Sequence, residues 1–232
     1  MKVTFHEKVK PSDLPKDAIA NTYISFMSIS DVNACAKELL LEISDTSWIN
    51  ALSPVAKMSY ESTAKETIHK LVEIFKSVDN QVTKDFGEFM ISMGSGHYLK
   101  DKHNHVVLPL SELWKEKISN NHGFDFHTLS PSLKFSFGEA KYVSTGNSYT
   151  TAAEQVHRFS KEGKDKRDAV HLLHFADPIA ITNLNQDRKG YILAFSINSN
   201  DYEKILKNAL NNVDVKSLTK RCDELYIIGV KA

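Results

Sequence analysis

The sequence has little cysteine, no net charge and no long apolar run. Its 232 residues include two cysteines, Cys35 and Cys222, far apart and without a Cys-x-x-Cys pair. Neither a disulfide framework nor a cysteine-based zinc site is therefore indicated, and we expect two buried, inert thiols. Because 29 basic residues balance 29 acidic residues, any surface for nucleic acid must be local.

The sequence also lacks an apolar segment long enough to cross a bilayer, and its first residues lack the core of a signal peptide. We therefore expect a cytoplasmic protein with no membrane partner. The length is sufficient for one substantial core. We expect an N-terminal elaboration over residues 1–60 packed on a core domain of residues 61–232, together forming one compact unit.

Hydrophobic spacing predicts an α/β fold with a central mixed β-sheet flanked by helices. Ser30 or Asp31 is a candidate cap for a helix through Ile43, and an amphipathic helix is expected from Glu61 to Val78. The remaining predictions are strands over 3–9, 23–29, 106–110, 169–175, 191–197 and 225–230, and helices over 85–93, 111–118, 151–159 and 201–210.

Three short patterns that resemble functional motifs have simpler explanations. Asp-Phe-Gly at 85–87 lacks the other kinase motifs, and the glycines at 94 and 96 lack the Gly-Lys-Ser/Thr ending of a phosphate loop. We interpret those glycines as a helix stop. His97, His103 and His105 lack the spacing of a zinc site and are expected on the surface of a polar loop.

Residues 123–142 predict a β-hairpin. Two short aromatic segments are separated by Ser-Pro-Ser at 130–132, which favours a turn. Because side chains alternate along a strand, Glu139 and Lys141 share one face with Phe135 and Phe137. Charged groups in an otherwise apolar strand need a partner, a metal or a function.

The hairpin can bring two carboxylates together. Cross-strand neighbours are about 5 Å apart at Cβ, so Asp125 and Glu139 can converge on a hard cation such as Mg²⁺ or Mn²⁺. The Ala140 carbonyl is a further candidate ligand. Such a cation leaves positions for water and a phosphate oxygen, which suits phosphodiester hydrolysis. Lys141 would either orient or deprotonate the water, or neutralise the transition state.

Each of these residues also has a purely structural explanation. Asp125 can accept backbone hydrogen bonds in a Gly-Phe-Asp turn, and Glu139 with Lys141 can form a salt bridge on an edge strand. Taken singly, these structural explanations are favoured. Asp125 is followed fourteen positions later by Glu139 of a Gly-Glu-x-Lys motif, however, and this combination favours one site formed by these residues together.

The predicted helix after the hairpin carries Gln155, and its end holds four cations within seven residues. They are either a solvated helix end and loop or a patch that contacts phosphate, and the sequence does not decide between these. As a nucleic-acid surface the patch would consist of Lys161, Lys164, Lys166 and Arg167.

The spacing of Asp125, Glu139-Ala140-Lys141 and Gln155 resembles the PD-(D/E)xK nuclease superfamily. The resemblance implies a restriction-endonuclease-like core in which Asp125 and Glu139 are metal ligands and Lys141 and Gln155 are catalytic. The superfamily often carries a further carboxylate on the helix before the sheet, and Glu88 stands at the matching place. Phenylalanine rather than proline precedes Asp125.

Gly87-Glu88, Gly-Phe-Asp at 123–125 and Phe-Gly-Glu-Ala-Lys at 137–141 further resemble the HamA family, the nuclease subunits of Hachiman anti-phage defence systems. This resemblance implies a Mg²⁺- or Mn²⁺-dependent DNase that is restrained by a HamB-like superfamily-2 helicase partner. The alternative hypothesis is a non-catalytic DNA- or protein-binding subunit on a nuclease-like scaffold.

Overall fold

The structure, a computed structural model, describes residues 1–76, 82–115 and 123–231, and in this part of the chain the fold is α/β. The described strands form one mixed seven-stranded sheet in the order β1-β2-β7-β6-β5-β4-β3, flanked by helices. They are β1 (Lys2–Lys8), β2 (Asn21–Ser28), β3 (Val106–Val107), β4 (Phe126–Leu129), β5 (Phe135–Lys141), β6 (Gly190–Ser196) and β7 (Glu224–Lys231). The predicted α/β class with a central mixed sheet is confirmed.

The described helices pack on this sheet and on one another. They are α1 (Val32–Ser44), α2 (Ser47–Asn50), α3 (Pro54–Lys76), α4 (Lys84–His103), α5 (Tyr149–Glu162), α6 (Lys164–Leu172), α7 (Pro178–Asn185), α8 (Tyr202–Asn211) and α9 (Val213–Leu218). Helix α4 contacts β3 to β6, and α5 contacts β5 and β6, so both helices approach the strands of the hairpin.

The hairpin is formed as predicted. Strand β4 pairs antiparallel with β5, with Phe126 opposite Gly138 and Leu129 opposite Phe135. Leu133, in the turn, adopts a left-handed φ of 55°. Strand β5 then pairs in parallel with β6, and β6 in parallel with β7. The hairpin therefore joins a parallel sheet centre, which explains why β5 is apolar along most of its length.

The N-terminal elements follow their local signals. Asp31 caps α1 by accepting the Ala34 backbone N–H at 2.8 Å, as predicted. Strands β1 and β2 extend the sheet beyond β7, and the buried core reaches from Val9 to Val230. Helix α3 begins at Pro54, seven residues before the predicted start at Glu61, because proline is favourable in the first turn of a helix.

The predicted helix stop at 94–96 was wrong, since α4 continues to His103. Gly94 and Gly96 are buried inside the helix, and a Cβ at Gly96 would lie 3.0 Å from Val107 Cγ1. The glycine at this position therefore permits close packing against β3. The helix ends instead at Asn104, whose left-handed φ of 55° and backbone hydrogen bonds to the last turn form a C-cap.

The predicted strand over 169–175 was also wrong, because α6 covers most of it. The buried side chains of α6 are spaced as on one face of a helix. Three of them are charged, so the pattern of apolar residues in the sequence does not indicate the helix. They are Lys164, Asp165, Asp168 and Leu172. The apolar Val170 and Leu173 are exposed, and they made the segment resemble a strand. The expected basic loop is consequently the junction of α5 and α6.

The three histidines lie elsewhere than predicted. His97 and His103 are on α4, and His105 is buried, with hydrogen-bonding distances of 2.9 Å to Thr128 Oγ1 and 3.1 Å to the Tyr226 hydroxyl. Packing against β4 and β7 removes His105 from solvent. The spacing of residues around His105 in the sequence does not indicate this packing. Both cysteines are free and buried, as predicted. In the described part of the chain, no helix has the length and apolarity that spanning a membrane requires.

The helix expected over 111–118 is only partly described. Ser111–Leu113 forms a single 3-10 turn, and residues 116–118 lie outside the described residues.

Candidate active site

The end of the hairpin, α4 and α5 border one cavity of about 870 Å³. The side chains that the sequence singled out for chemistry all line it: Glu88, Asp125, Glu139, Lys141 and Gln155. A neighbouring cavity of about 590 Å³, between α3 and α4, shares Glu88 and Asp125 with it. Residues from four separate parts of the sequence therefore meet in one concave space.

Asp125 is fixed directly before β4 by the backbone of β5. Its N–H donates to the Gly138 carbonyl at 2.9 Å, and its Oδ2 accepts the Ala140 N–H at 2.9 Å. Ala140 thus contacts Asp125 through its N–H. That the Ala140 carbonyl is a metal ligand stays a prediction. These bonds place the Asp125 carboxylate across the hairpin from Glu139.

Glu139 and Lys141 form an ion pair on β5, because residues two apart on a strand share a face. Lys141 Nζ lies 2.7 Å from Glu139 Oε1. Glu139 Oε2 is buried and receives no hydrogen bond from an N–H or hydroxyl group of the described residues, while the carboxyl group of Asp125 interacts directly with the Glu139 side chain. A fully buried carboxylate oxygen without a donor is costly, so it is suited to a ligand that the protein itself does not supply.

The pKa values of both members of this pair are raised, for different reasons. Burial, together with the charge of Asp125, raises the pKa of Glu139 well above its ordinary value. Burial opposes the charge of Lys141, but attraction by Glu139 and Asp125 outweighs it and raises the pKa of Lys141. Lys141 is therefore held as an ammonium, which favours its role as a cation over that of a base.

The other two carboxylates belong to the same electrostatic cluster. Burial raises the pKa of Asp125, and Lys141 and the Ala140 N–H oppose it. Burial also raises the pKa of Glu88, with Lys141 opposing and Asp125 adding to the rise. The charge of Asp125 thus raises the pKa of both Glu88 and Glu139 around one lysine, an arrangement in which a divalent cation relieves repulsion between carboxylates.

The donor set fits Mg²⁺ or Mn²⁺ in chemistry, since carboxylate oxygens are the ligands that these hard ions prefer. Asp125 and Glu139 supply such oxygens, and Glu139 Oε2 is left without a donor. Among the described residues, no three His, Cys, Asp or Glu side chains are grouped closely enough to hold a metal. The donor set therefore fits a cation that the protein would hold through two carboxylates, with Glu88 in the wall of the same cavity.

The helix after the hairpin contributes Gln155 to the cavity, as predicted. Of the four cations at the junction of α5 and α6, Lys164 and Arg167 line the cavity, whereas Lys161 and Lys166 are exposed and outside its lining. Lys166 pairs instead with Asp187 at 3.2 Å. The junction thus divides into a half that faces the cavity and a half that faces solvent.

Sequence reasoning missed a second group in the cavity wall, comprising Lys115, Asp168 and His171. Lys115 Nζ lies 2.7 Å from Asp168 Oδ2, and the same oxygen lies 2.9 Å from Nε2 of the buried His127. These residues are 53 and 41 positions apart, so no local spacing connects them. A charged residue directly before the apolar segment 169–175 was the one available signal.

No protein-family model matches this sequence, and comparison with curated proteins and with solved structures finds no similar protein. The case for a function therefore depends on the geometry of the cavity.

Proposed function

We propose that this protein is a metal-dependent nuclease that hydrolyses phosphodiester bonds in DNA. One observation carries the proposal: Asp125, Glu139 and Lys141 line the same cavity, with a buried Glu139 oxygen that has no donor among the described residues. A structural salt bridge on an edge strand does not account for this, because β5 lies inside the sheet between β4 and β6.

Asp125 and Glu139 would hold Mg²⁺ or Mn²⁺ through their carboxylate oxygens. When bound there, the ion would lower the pKa of a water molecule and polarise a phosphate oxygen. Lys141, held as an ammonium 2.7 Å from Glu139, would stabilise the negative charge that develops on the phosphate. Gln155 would orient the attacking water, and Glu88 would support the acidic cluster from α4. Lys164 and Arg167 would hold the strand.

The motif resemblance extends this proposal to a biological setting. As a member of the PD-(D/E)xK superfamily and of the HamA family, the protein would act in anti-phage defence in the cytoplasm. A HamB-like superfamily-2 helicase would restrain the nuclease until aberrant DNA is present. Copurification with a helicase encoded by the neighbouring gene, and suppression of cleavage by that helicase, are the expected results.

The decisive experiment measures cleavage of DNA with Mg²⁺, with Mn²⁺ and with EDTA. Glu139→Gln and Lys141→Met should each lower the rate by on the order of 10²-fold or more, since each removes a charge that acts at the reacting phosphate. Lys134→Met is the matched control, because Lys134 is similarly buried and pairs with Asp223 at 3.3 Å outside the cavity lining.

Two outcomes would contradict the proposal. Undiminished cleavage by both variants would remove these residues from the mechanism. Absence of cleavage by the wild type with either ion, combined with DNA binding that survives substitution of Asp125, Glu139 and Lys141, would favour the non-catalytic binding subunit.

A further inference from the structure

Lys115 occupies a position between the two charged groups of the cavity. It lines the cavity wall, and its side chain is 17% exposed. It also lines the neighbouring cavity together with Glu88 and Asp125, and its ammonium lies 2.7 Å from Asp168 Oδ2. Lys115 is therefore close enough to the acidic cluster to act on a group bound there.

The backbone just before Lys115 is hydrogen-bonded to the segment that carries Asp125, directly before β4. Ser111 Oγ donates within 2.6 Å to the Phe124 carbonyl and also reaches the Asp125 carbonyl. The Lys115 N–H in turn donates to the Ser111 carbonyl at 2.8 Å. The base of the lysine side chain is thus set relative to Asp125 by direct hydrogen bonds.

Asp168 and His127 orient the ammonium end of Lys115. The ring of the buried His127 lies with Nε2 2.9 Å from Asp168 Oδ2, so its N–H can donate to that oxygen. Burial works to raise the pKa of Asp168, but the hydrogen bond from His127 and the charge of Lys115 outweigh it and keep the carboxylate ionised. One buried carboxylate oxygen of Asp168 thereby fixes the position of the Lys115 ammonium.

Gly123 leaves the space that the ammonium occupies. A Cβ at Gly123 would lie 2.8 Å from Lys115 Nζ and 3.5 Å from Asp168 Oδ1. The backbone of Gly123 is outside the left-handed region, so an alanine is compatible with its conformation. The absence of a Cβ at Gly123 therefore leaves room for the ammonium of Lys115, and no left-handed turn requires the glycine.

We propose that Lys115, held by Asp168 across the space left by Gly123, binds a phosphate of the nucleic-acid strand and positions the strand at Asp125 and Glu139. The group bound is a phosphodiester next to the one that is cut. Arg167 and Lys164 line the same cavity and add positive charge to it. This inference rests on the proposed function, since it names the substrate contact of the same cavity.

The test measures binding of a duplex oligonucleotide in EDTA, over a range of salt concentrations, so that no cleavage is needed. Lys115→Met should weaken binding by roughly tenfold, as expected for the loss of one hydrogen bond from a charged group. It should also reduce the slope of log affinity against log salt by about 0.9, the value for one phosphate contact. A lysine that only stabilises the fold would leave this slope unchanged.

Gly123→Ala is the second variant, because it displaces the ammonium without removing its charge. The clashing atom is the end of a flexible side chain, so the fold should be retained. Binding should weaken in the same direction as in Lys115→Met. Lys134→Met controls for loss of a cation elsewhere, and Gly96→Ala controls for a methyl group added at a glycine away from this cavity.

An unchanged slope in Lys115→Met, an equal loss in Lys134→Met, or failure of the wild type to bind the duplex would each overturn the inference. Cleavage with Mg²⁺ is measured separately. If the slope changes as expected but no cleavage occurs, the phosphate contact stands and the proposed hydrolysis fails. If cleavage occurs but the slope does not change in Lys115→Met, the proposed hydrolysis stands and the phosphate contact fails.

Discussion

Lys141 Nζ lies 2.7 Å from one oxygen of Glu139, while the other oxygen of Glu139 is buried and receives no hydrogen bond from an N–H or hydroxyl group in the described part of the chain. The pair is therefore incompletely satisfied in the protein alone. Such a site is stabilised by a ligand that binds only the folded state.

We expect Mn²⁺ or Mg²⁺ to raise the melting temperature of the wild type, since a ligand at about 100 times its Kd adds about 2.7 kcal/mol to the free energy of unfolding. Asp125→Asn and Glu139→Gln should lose this shift, because each removes a carboxylate ligand. Differential scanning fluorimetry across a metal titration measures it. Lys134→Met should retain the full shift, and a full shift in both carboxylate variants would show that the ion binds elsewhere.

Gly138 of the Phe-Gly-Glu-Ala-Lys motif is required by packing. A Cβ there would lie 2.4 Å from atoms of the Phe126 ring, which is buried on the paired strand. Gly138→Ala should lower the free energy of unfolding by about 1–3 kcal/mol through overpacking. Urea denaturation measures the change, and Phe126→Leu added to Gly138→Ala should recover part of it. If the double variant loses the sum of the two single effects, the clash is not the cause.

A second buried ion pair, distant in sequence from the motif, should matter for stability. Asp165 at the start of α6 accepts hydrogen bonds from Lys189 and, at 2.8 Å, from the Tyr191 hydroxyl. Asp165→Ala should cost up to about 3–5 kcal/mol of unfolding free energy, because the buried Lys189 then keeps only the exposed Asp187, at 3.1 Å, as a partner. Chemical denaturation checks this value. Asp17→Ala, which breaks the exposed pair with Lys220 at 2.9 Å, should have no measurable effect.

The buried His105, which follows the C-cap of α4, should make stability depend on pH. Burial lowers the pKa of His105 to about 4, with His103 adding to the effect. In the unfolded chain the pKa returns to about 6.5, so between these values the unfolded state binds more protons and stability falls as pH falls. The hydroxyls of Thr128 and Tyr226 face the ring and add no opposing charge.

Comparison with His105→Gln isolates the contribution of His105 to stability. The comparison is needed because the raised pKa values of Glu88 and Glu139 make stability change with pH in the opposite direction. The wild type should lose up to about 3 kcal/mol relative to the variant between pH 6.5 and pH 4. Urea denaturation of both proteins at several pH values measures the difference. A difference that does not vary with pH would contradict the buried, neutral state of His105.

The predictable features of the fold were those set by neighbours in sequence. Asp31 caps α1, the hairpin turns at 130–132, and Glu139 and Lys141 share a face because β5 alternates. The wrong predictions concerned segments whose secondary structure is determined by contacts with residues far away in the sequence. Helix α4 runs through its glycines because β3 packs close to Gly96, and α6 buries Asp165 and Asp168, whose partners lie elsewhere in the chain.

For the candidate site, the sequence by itself determined the acidic pair, the lysine beside it and the order of the elements that carry them, because their spacing follows from the geometry of two adjacent strands. Only the tertiary structure decided that Lys115 and Asp168 meet across Gly123 and that Lys164 and Arg167, rather than Lys161 and Lys166, face the cavity. The physical reason is range: alternation and capping act between near neighbours, whereas a cavity wall is assembled by packing elements that are far apart in the chain.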